Sequence, residues 1–198
     1  MNLQGVKIGF ALTGSHCTIG EVLPQIEKLI KAGTQVFPII SPAVNNVSTR
    51  FGEAKDIKER LKKITGNRII KSIVDAEPIG PQKMFDIIVI APCTGNTLAK
   101  LANGITDTPV LMSAKAQLRN QRPVVLAIST NDGLGLNAKN LGILLATKNI
   151  FIVPFGQDDP LQKPTSLVSR LDLLLPTIEK ALKREQIQPI LLSNFSML

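Results

Sequence analysis

Hydrophobic positions along the chain alternate between strand-like runs and helix-like spacings. Val6 to Leu12 is a near-continuous apolar run, as a strand buried on both faces requires. Ile19 to Ala32 then places Ile19, Val22, Leu23, Ile26, Leu29 and Ile30 at helical spacing, with Gly33 as its C-cap. Pro24 belongs in the first turns of that helix. Gln35 to Ile40 reads as a second strand. Ser41 to Arg50 is polar, holds Pro42, Asn45 and Asn46, and reads as a loop. Glu53 to Ile64 is an amphipathic helix stopped by Thr65-Gly66. Arg68 to Val74 is ambiguous between states, a candidate third strand broken by Pro78-Ile79-Gly80-Pro81.

The second half repeats the alternation. Asp86 to Ala91 is the clearest strand, and Asn96 to Asn103 is a helix ended by Gly104. Thr108-Pro109 is an N-cap with proline at the first helical position, opening a helix to about Arg119. Pro123 to Ile128 is a buried strand, Leu136 to Lys148 a helix, and Ile150 to Pro154 a short strand. Leu167 to Arg184 reads as a final helix with a kink or break at Pro176. Residues 1–186 make one domain, and 187–198, apolar in patches, read as a C-terminal tail suited to packing on a partner protein.

Alternating strands and helices imply a parallel sheet covered on both faces, with right-handed crossovers. The expected fold is a Rossmann-like, flavodoxin-like three-layer α/β sandwich, strand order 3-2-1-4-5 plus a short sixth strand. Ligands of such sheets bind outside the carboxyl ends of the strands, where the winding reverses. Here the reversal falls between the first strand and the Asp86 strand. The loops Thr13 to Thr18 and Pro92 to Thr97 should therefore face each other.

Composition narrows the function. With 198 residues, 44% hydrophobic and 19% charged, the chain can bury a sizeable core. Its net charge is +8, but basic residues interleave with acidic ones, as in Glu53-Ala54-Lys55-Asp56-Ile57-Lys58-Glu59-Arg60. There is no Trp or Tyr, and the Phe residues do not alternate with basic ones as stacking platforms would. A solvated basic surface or an anionic small-molecule site explains the charge better than nucleic acid. No apolar run approaches the ~18 residues of a membrane span, and Ile8 to Leu12 is too short for a signal peptide. Cys17, Cys93 and a single histidine make neither a disulfide framework nor a metal site, and they suit a reducing cytosol.

Candidate chemistry collects at the strand ends. Thr13-Gly14-Ser15-His16-Cys17-Thr18 leads from a buried strand into a helix, where free amides, the helix dipole and hydroxyls make an anion site. In Pro92-Cys93-Thr94-Gly95-Asn96-Thr97 the proline stops the strand, Gly95 permits close backbone approach, and Asn96 or Thr97 can cap the next helix. Ser129-Thr130-Asn131 ends the Pro123 strand, and Ser41 ends the second. Each loop also serves as an ordinary turn and helix cap. Four polar strand ends on one rim exceed that need and favour a phosphate-bearing ligand. Neither a G-x-G-x-x-G fingerprint nor a Walker A loop is present, which disfavours the usual NAD and ATP sites. His16 is either a proton shuttle beside a bound ligand, or a locally bonded loop residue. Cys17 and Cys93 are either reactive thiols or small residues lining the site.

The stretch Asp86-Ile87-Ile88-Val89-Ile90-Ala91-Pro92-Cys93-Thr94-Gly95-Asn96-Thr97, continuing through Lys100, Gly104 and Asp107, resembles the signature of the homo-oligomeric flavin-containing cysteine decarboxylase superfamily. Within it the chain is similar, over nearly its whole length, to a flavoprotein subunit of spore-forming bacteria. That likeness includes Thr49-Arg50-Phe51-Gly52-Glu53, Ala76-Glu77-Pro78 and Ala146-Thr147-Lys148-Asn149-Ile150. The resemblance implies FMN, with its phosphate on Gly14, Ser15 and Ser41. Pro92, Thr94, Gly95, Asn96, Thr97, Ser129, Thr130 and Asn131 would stand near the rest of the cofactor, with His16 and Cys17 beside it. It implies His16 and Asn96 as catalytic candidates, a homo-oligomer, and a cytoplasmic protein of the sporulating mother cell. The implied partner is a nucleotide-dependent dehydrogenase subunit, and the implied substrate a small dicarboxylate oxidised to pyridine-2,6-dicarboxylate. Two alternatives stay open: an FMN-dependent decarboxylase, or a scaffold without flavin. The superfamily's decarboxylases carry a histidine after the third-strand region and a Pro-x-Met-Asn-x-x-Met-Trp segment; this chain has only His16, Asn131 and no Trp. Flavin prenyltransferases carry an Arg-Glu pair where Ser129-Thr130-Asn131 stands.

Overall fold

The computed structural model describes residues 3–192. Four parallel strands form the centre of a sheet: β1 (Lys7–Leu12), β2 (Gln35–Ile40), β3 (Ile87–Cys93) and β4 (Val124–Thr130), in the order β2-β1-β3-β4. A short β5 (Ile150–Ile152) pairs with β4 in parallel. The helices are α1 (His16–Lys31), α2 (Pro42–Asn46), α3 (Ala54–Thr65), α4 (Ile73–Ala76), α5 (Gly95–Ala102), α6 (Pro109–Arg119), α7 (Ala138–Leu145) and α8 (Leu174–Leu182). This is the three-layer α/β sandwich expected from the hydrophobic pattern, with the short sixth strand present as β5.

Period-two alternation in a strand buried on both faces explains the layers. On β3, Ile87, Val89 and Ala91 face one core with Phe10, Leu23 and Ile178. Ile88 and Ile90 face the other core with Leu98, Val110 and Leu141, and Cys93 joins that side after a register shift in the strand. Helices α1, α3 and α8 cover the first side, and α5, α6 and α7 the second. Each fully buried aliphatic side chain contributes about 1.5–3 kcal/mol.

Four local expectations are corrected. The ambiguous stretch from Arg68 to Val74 is no strand. It touches the sheet through one parallel bridge, Ile39 to Ile70, after which Ser72 and Asp75 form a reciprocal capping box and start α4. The sheet order 3-2-1-4-5 thus loses its outermost member. The segment from Ser41 to Arg50 is not all loop, because Ser41 caps α2 with Pro42 in its first turn. Helix α1 begins at His16, so Pro24 lies inside the helix and not in its first turns.

The fourth correction concerns Leu167 to Arg184. Its first residues form β7 (Leu167–Ser169), antiparallel to β4 and to β6 (Phe155–Gly156). The Ser169 hydroxyl accepts from the Ile128 amide at 2.7 Å and donates to the Val153 carbonyl at 3.2 Å, which ties this annex to the main sheet. Helix α8 starts at Leu174, so Pro176 sits in its first turn, where no intrahelical N–H is needed, and breaks nothing. Of the tail, Ile190 and Leu192 bond to Phe155 along β6. Residues 193–198 lie outside the described residues.

Candidate functional site

The winding reverses between β1 and β3, and Thr13 stitches the two strand ends together. Its buried hydroxyl donates to the Pro92 carbonyl at 2.6 Å and accepts from the Thr94 amide at 3.0 Å. The loops after β1 and β3 therefore face each other across the rim, as the topology required.

The loop after β1 leaves its helix unfinished. Ser15 stands at the N-cap of α1 but makes no side-chain capping bond. Its hydroxyl instead joins a triangle with Ser129 (2.8 Å) and Thr18 (3.2 Å), closed by a 2.9 Å contact between Thr18 and Ser129. No acidic residue occupies the first turn of α1. The first amides of a helix have no intrahelical acceptor and carry the positive end of the dipole. Gly14 sits against α2: a Cβ there would stand 3.0 Å from that of Ala43, so glycine permits the close approach. Ser41, buried at the end of β2, accepts from the Val44 amide at 3.4 Å. The Nδ1 of half-buried His16 is itself buried and has no hydrogen-bond partner.

The loop after β3 is finished. Thr94 caps α5 by accepting from the Thr97 amide at 3.3 Å and donates to the Thr97 hydroxyl at 3.0 Å. Gly95 lies directly on the third loop. A Cβ there would meet the Thr130 hydroxyl at 2.5 Å, an Asp132 carboxylate oxygen at 2.6 Å and the Asn137 amide at 2.8 Å. Thr130 donates to Asp132, whose other oxygen accepts from Asn137 at 2.7 Å. Asn137 accepts from Asn140 at 2.9 Å, and Asn140 from Asn103 at 3.3 Å. A carboxylate already stands at the start of α5, so a second anion there would meet repulsion.

The structure places Gly14, Ser15, Pro92, Thr94, Gly95, Ser129 and Thr130 on one rim, in neighbouring hydrogen-bonded groups. Asn96 and Asn131 are exposed beside it, and the Asn131 carbonyl accepts from Thr165 at 2.7 Å. Cys17 is exposed one residue inside α1, whereas Cys93 is buried and desolvation pushes its thiol up to about 12. Cys93 is thus a core residue and not a nucleophile. Among the described residues no group of His, Cys, Asp or Glu could hold a metal. The sequence does not single out Thr13, Thr18, Asp132 and Asn137, although each lies in or beside a loop that it does. Three surface hollows lie away from the rim, along α3 and beside β5. The start of α1 without a side-chain cap and the unpartnered His16 Nδ1 distinguish the rim.

Residues 1–168 match the model of the Flavoprotein family. The chain is 56% identical, over 98% of its length and 97% of the relative's, to the B subunit of dipicolinate synthase from Bacillus subtilis. The crystal structure of the corresponding B subunit from Bacillus halodurans superposes with a TM-score of 0.90 at 53% identity, covering 98% of this chain and all (100%) of that one. The fold is also shared with DmrB of Burkholderia xenovorans, solved in complex with FMN, at a TM-score of 0.68 and 20% identity over 90% of this chain and 96% of that one. On the breadth of the family match and the near-complete coverage of a relative at 56% identity, the chain belongs to the Flavoprotein family.

Proposed function

We propose that this chain is the FMN-binding component of a dipicolinate synthase, acting with a separate dehydrogenase subunit in the mother-cell cytoplasm of a sporulating bacterium. The single observation that carries the reading is the uncapped start of α1 facing three mutually bonded hydroxyls. A phosphate monoester is the ligand such donors suit, because a dianion satisfies several N–H and O–H groups at once.

The residues present fit FMN on three counts. Amides at the start of α1 and the hydroxyls of Ser15 and Ser41 form a phosphate-type donor set. Gly14 leaves a cradle that a side chain would fill against Ala43. The buried Nδ1 of His16 lacks a partner and can accept or donate one hydrogen bond. Gly14, Ser15 and Ser41 would hold the phosphate. Pro92, Thr94, Gly95, Asn96 and Thr97 would line the rest of the cofactor, opposite Ser129, Thr130 and Asn131, with Cys17 at the edge. Bound FMN supplies two-electron redox chemistry.

The chain's own residues would do the remaining work. His16 would hold or pass a proton at Nδ1, and the exposed Asn96 amide would hydrogen-bond a neutral polar atom of the ligand. The substrate is a small dicarboxylate. Conversion of a hydroxytetrahydrodipicolinate to pyridine-2,6-dicarboxylate removes water and two hydrogens, and the dehydrogenase partner would pass the hydride to its nucleotide. That the relative from Bacillus subtilis is one of a synthase's subunits supports a partner.

The test is product absorbance from each of the two proteins alone and from both together. Formation of pyridine-2,6-dicarboxylate well above that of either protein by itself is expected. Full turnover by this chain with substrate and NADP alone, or equal turnover by the dehydrogenase partner alone, would contradict the division of labour.

A further inference from the structure

Half of the chain's net charge of +8 comes from a short region: between Glu53 and Lys71 stand seven cations and three carboxylates. The fold gathers much of that excess on one surface. Ala54, Ile57 and Leu61 bury the inner face of α3, so Lys55, Lys58 and Lys62, three and four residues apart, run along another side of the helix. Arg68 and Lys71 from the following segment close a hollow of about 390 Å³ whose only lining carboxylate is Glu59. Glu59 approaches Lys55 only to 3.8 Å, with both side chains mostly exposed. Arg68 is held by Asp75 at 2.8 Å, and among the described residues Lys62 and Lys71 have no acidic partner.

Three features tell what such a surface takes. Four lysines around Glu59, beside an Arg68 already held by Asp75, call for an anionic partner. The lysine row spans about 10 Å, longer than one phosphate or a small dicarboxylate. The row is also joined to the rim: Lys58 donates to the Asn45 carbonyl at 3.0 Å, tying α3 to α2, and α2 begins at Ser41. We propose that the basic hollow between α3 and the Arg68–Lys71 segment docks an acidic surface segment of the dehydrogenase partner. This rests on the two-component reading above and adds where and by what chemistry the partner binds. Steering by such a patch raises the association rate and makes binding salt-sensitive.

The experiment uses the full-length protein and the recombinant dehydrogenase partner. Lys62→Glu/Lys71→Glu is compared with Lys115→Glu/Lys139→Glu, which makes the same charge change on α6 and α7, across the sheet. Affinity for the dehydrogenase is measured at low and high salt, and FMN affinity is measured separately. The first variant should bind the dehydrogenase at least about tenfold more weakly at low salt, lose much of the salt dependence, and keep its FMN affinity. The second should stay within about threefold of wild type. Unchanged binding by the first variant, or equal weakening by both, would overturn the docking surface while leaving the FMN reading intact. Failure of the wild-type pair to associate would instead overturn the two-component reading, and the docking surface with it.

Discussion

Two strand-to-helix loops meet at the rim, and they are built oppositely. After β3, Thr94 caps α5 and Asp132 places a carboxylate against Gly95. After β1, the residue that could cap α1 gives its hydroxyl to Ser129, and no acid stands in the first turn. A helix cap contributes about 1 kcal/mol, and here Ser15 exchanges it for a hydroxyl contact with Ser129 that leaves the first amides of α1 without a side-chain acceptor. The difference assigns the two loops separate tasks. The α5 end is a finished wall, and the α1 end is where the proposed function puts the phosphate of FMN.

The largest effect expected from this contrast is on FMN binding by Ser15→Asp. A fixed carboxylate at the start of α1 would fill the anion site from within and repel the phosphate, weakening FMN by about 1,000-fold, or about 4 kcal/mol. Titration by flavin fluorescence measures it, and unchanged affinity would remove the contrast. Next comes Gly95→Ala. The new Cβ would press on Thr130, Asp132 and Asn137, which hold one another in place. Overpacking of this kind costs about 3 kcal/mol. In a chain of this size that lowers the melting temperature by roughly 6–12 °C. A calorimetric melt within a degree of wild type would show that the wall yields.

Much of this architecture is legible in the sequence, and the failures have physical causes. β1 and β3 announce themselves because strands buried on both faces read as unbroken apolar runs. Thr108-Pro109 marks its helix because the cap and the proline act locally; the Thr108 hydroxyl accepts from the Leu111 amide at 3.2 Å. The same signal in Ser41-Pro42 is masked by Asn45 and Asn46, which read as turn residues. Arg68 to Val74 carries strand-forming residues, but the Ser72–Asp75 capping box turns the chain into a helix after one bridge. At the rim, the loops are visible as loops. The chain of side chains from Thr130 through Asp132, Asn137 and Asn140 to Asn103 is not, because its first links depend on how a loop folds back on a helix start and its last joins Asn140 to Asn103, 37 residues away.

Smaller effects sharpen the contrast. Thr94→Ala should destabilise the protein by about 1 kcal/mol through the lost cap, and weaken FMN by no more than about tenfold, far less than Ser15→Asp. Denaturant titration and FMN titration of the same sample separate the two. A large loss of FMN affinity without loss of stability would mean that α5, too, holds the anion.

The weakest expected effect lies outside both loops, at the fully capped α4. Hydrogen bonding with Ser72, then the Lys71 amide and the Arg68 charge, hold the Asp75 carboxyl below its usual range. A lowered carboxylate pKa stabilises the fold in full above the ordinary value near ~3.9, and that part is lost as the pH falls through the folded value. Acid should therefore loosen α4 first, while the neutral hydroxyl network at the rim persists. Amide exchange at Asp75 and Ala76 between about pH 5 and pH 3 follows it. An Asp75→Asn variant with the same acid sensitivity there would contradict the cause.

The most direct measurement is the affinity of the purified protein for FMN against riboflavin, which share the ring and ribityl chain and differ in the phosphate. The account places most of the specific recognition at the uncapped start of α1. FMN should bind at least about 100-fold more tightly than riboflavin, a difference of about 2.7 kcal/mol. In Ser15→Asp that preference should collapse to near unity. Equal affinity of the wild-type protein for the two, or a preference that survives Ser15→Asp, would contradict the assignment of the phosphate to the α1 end.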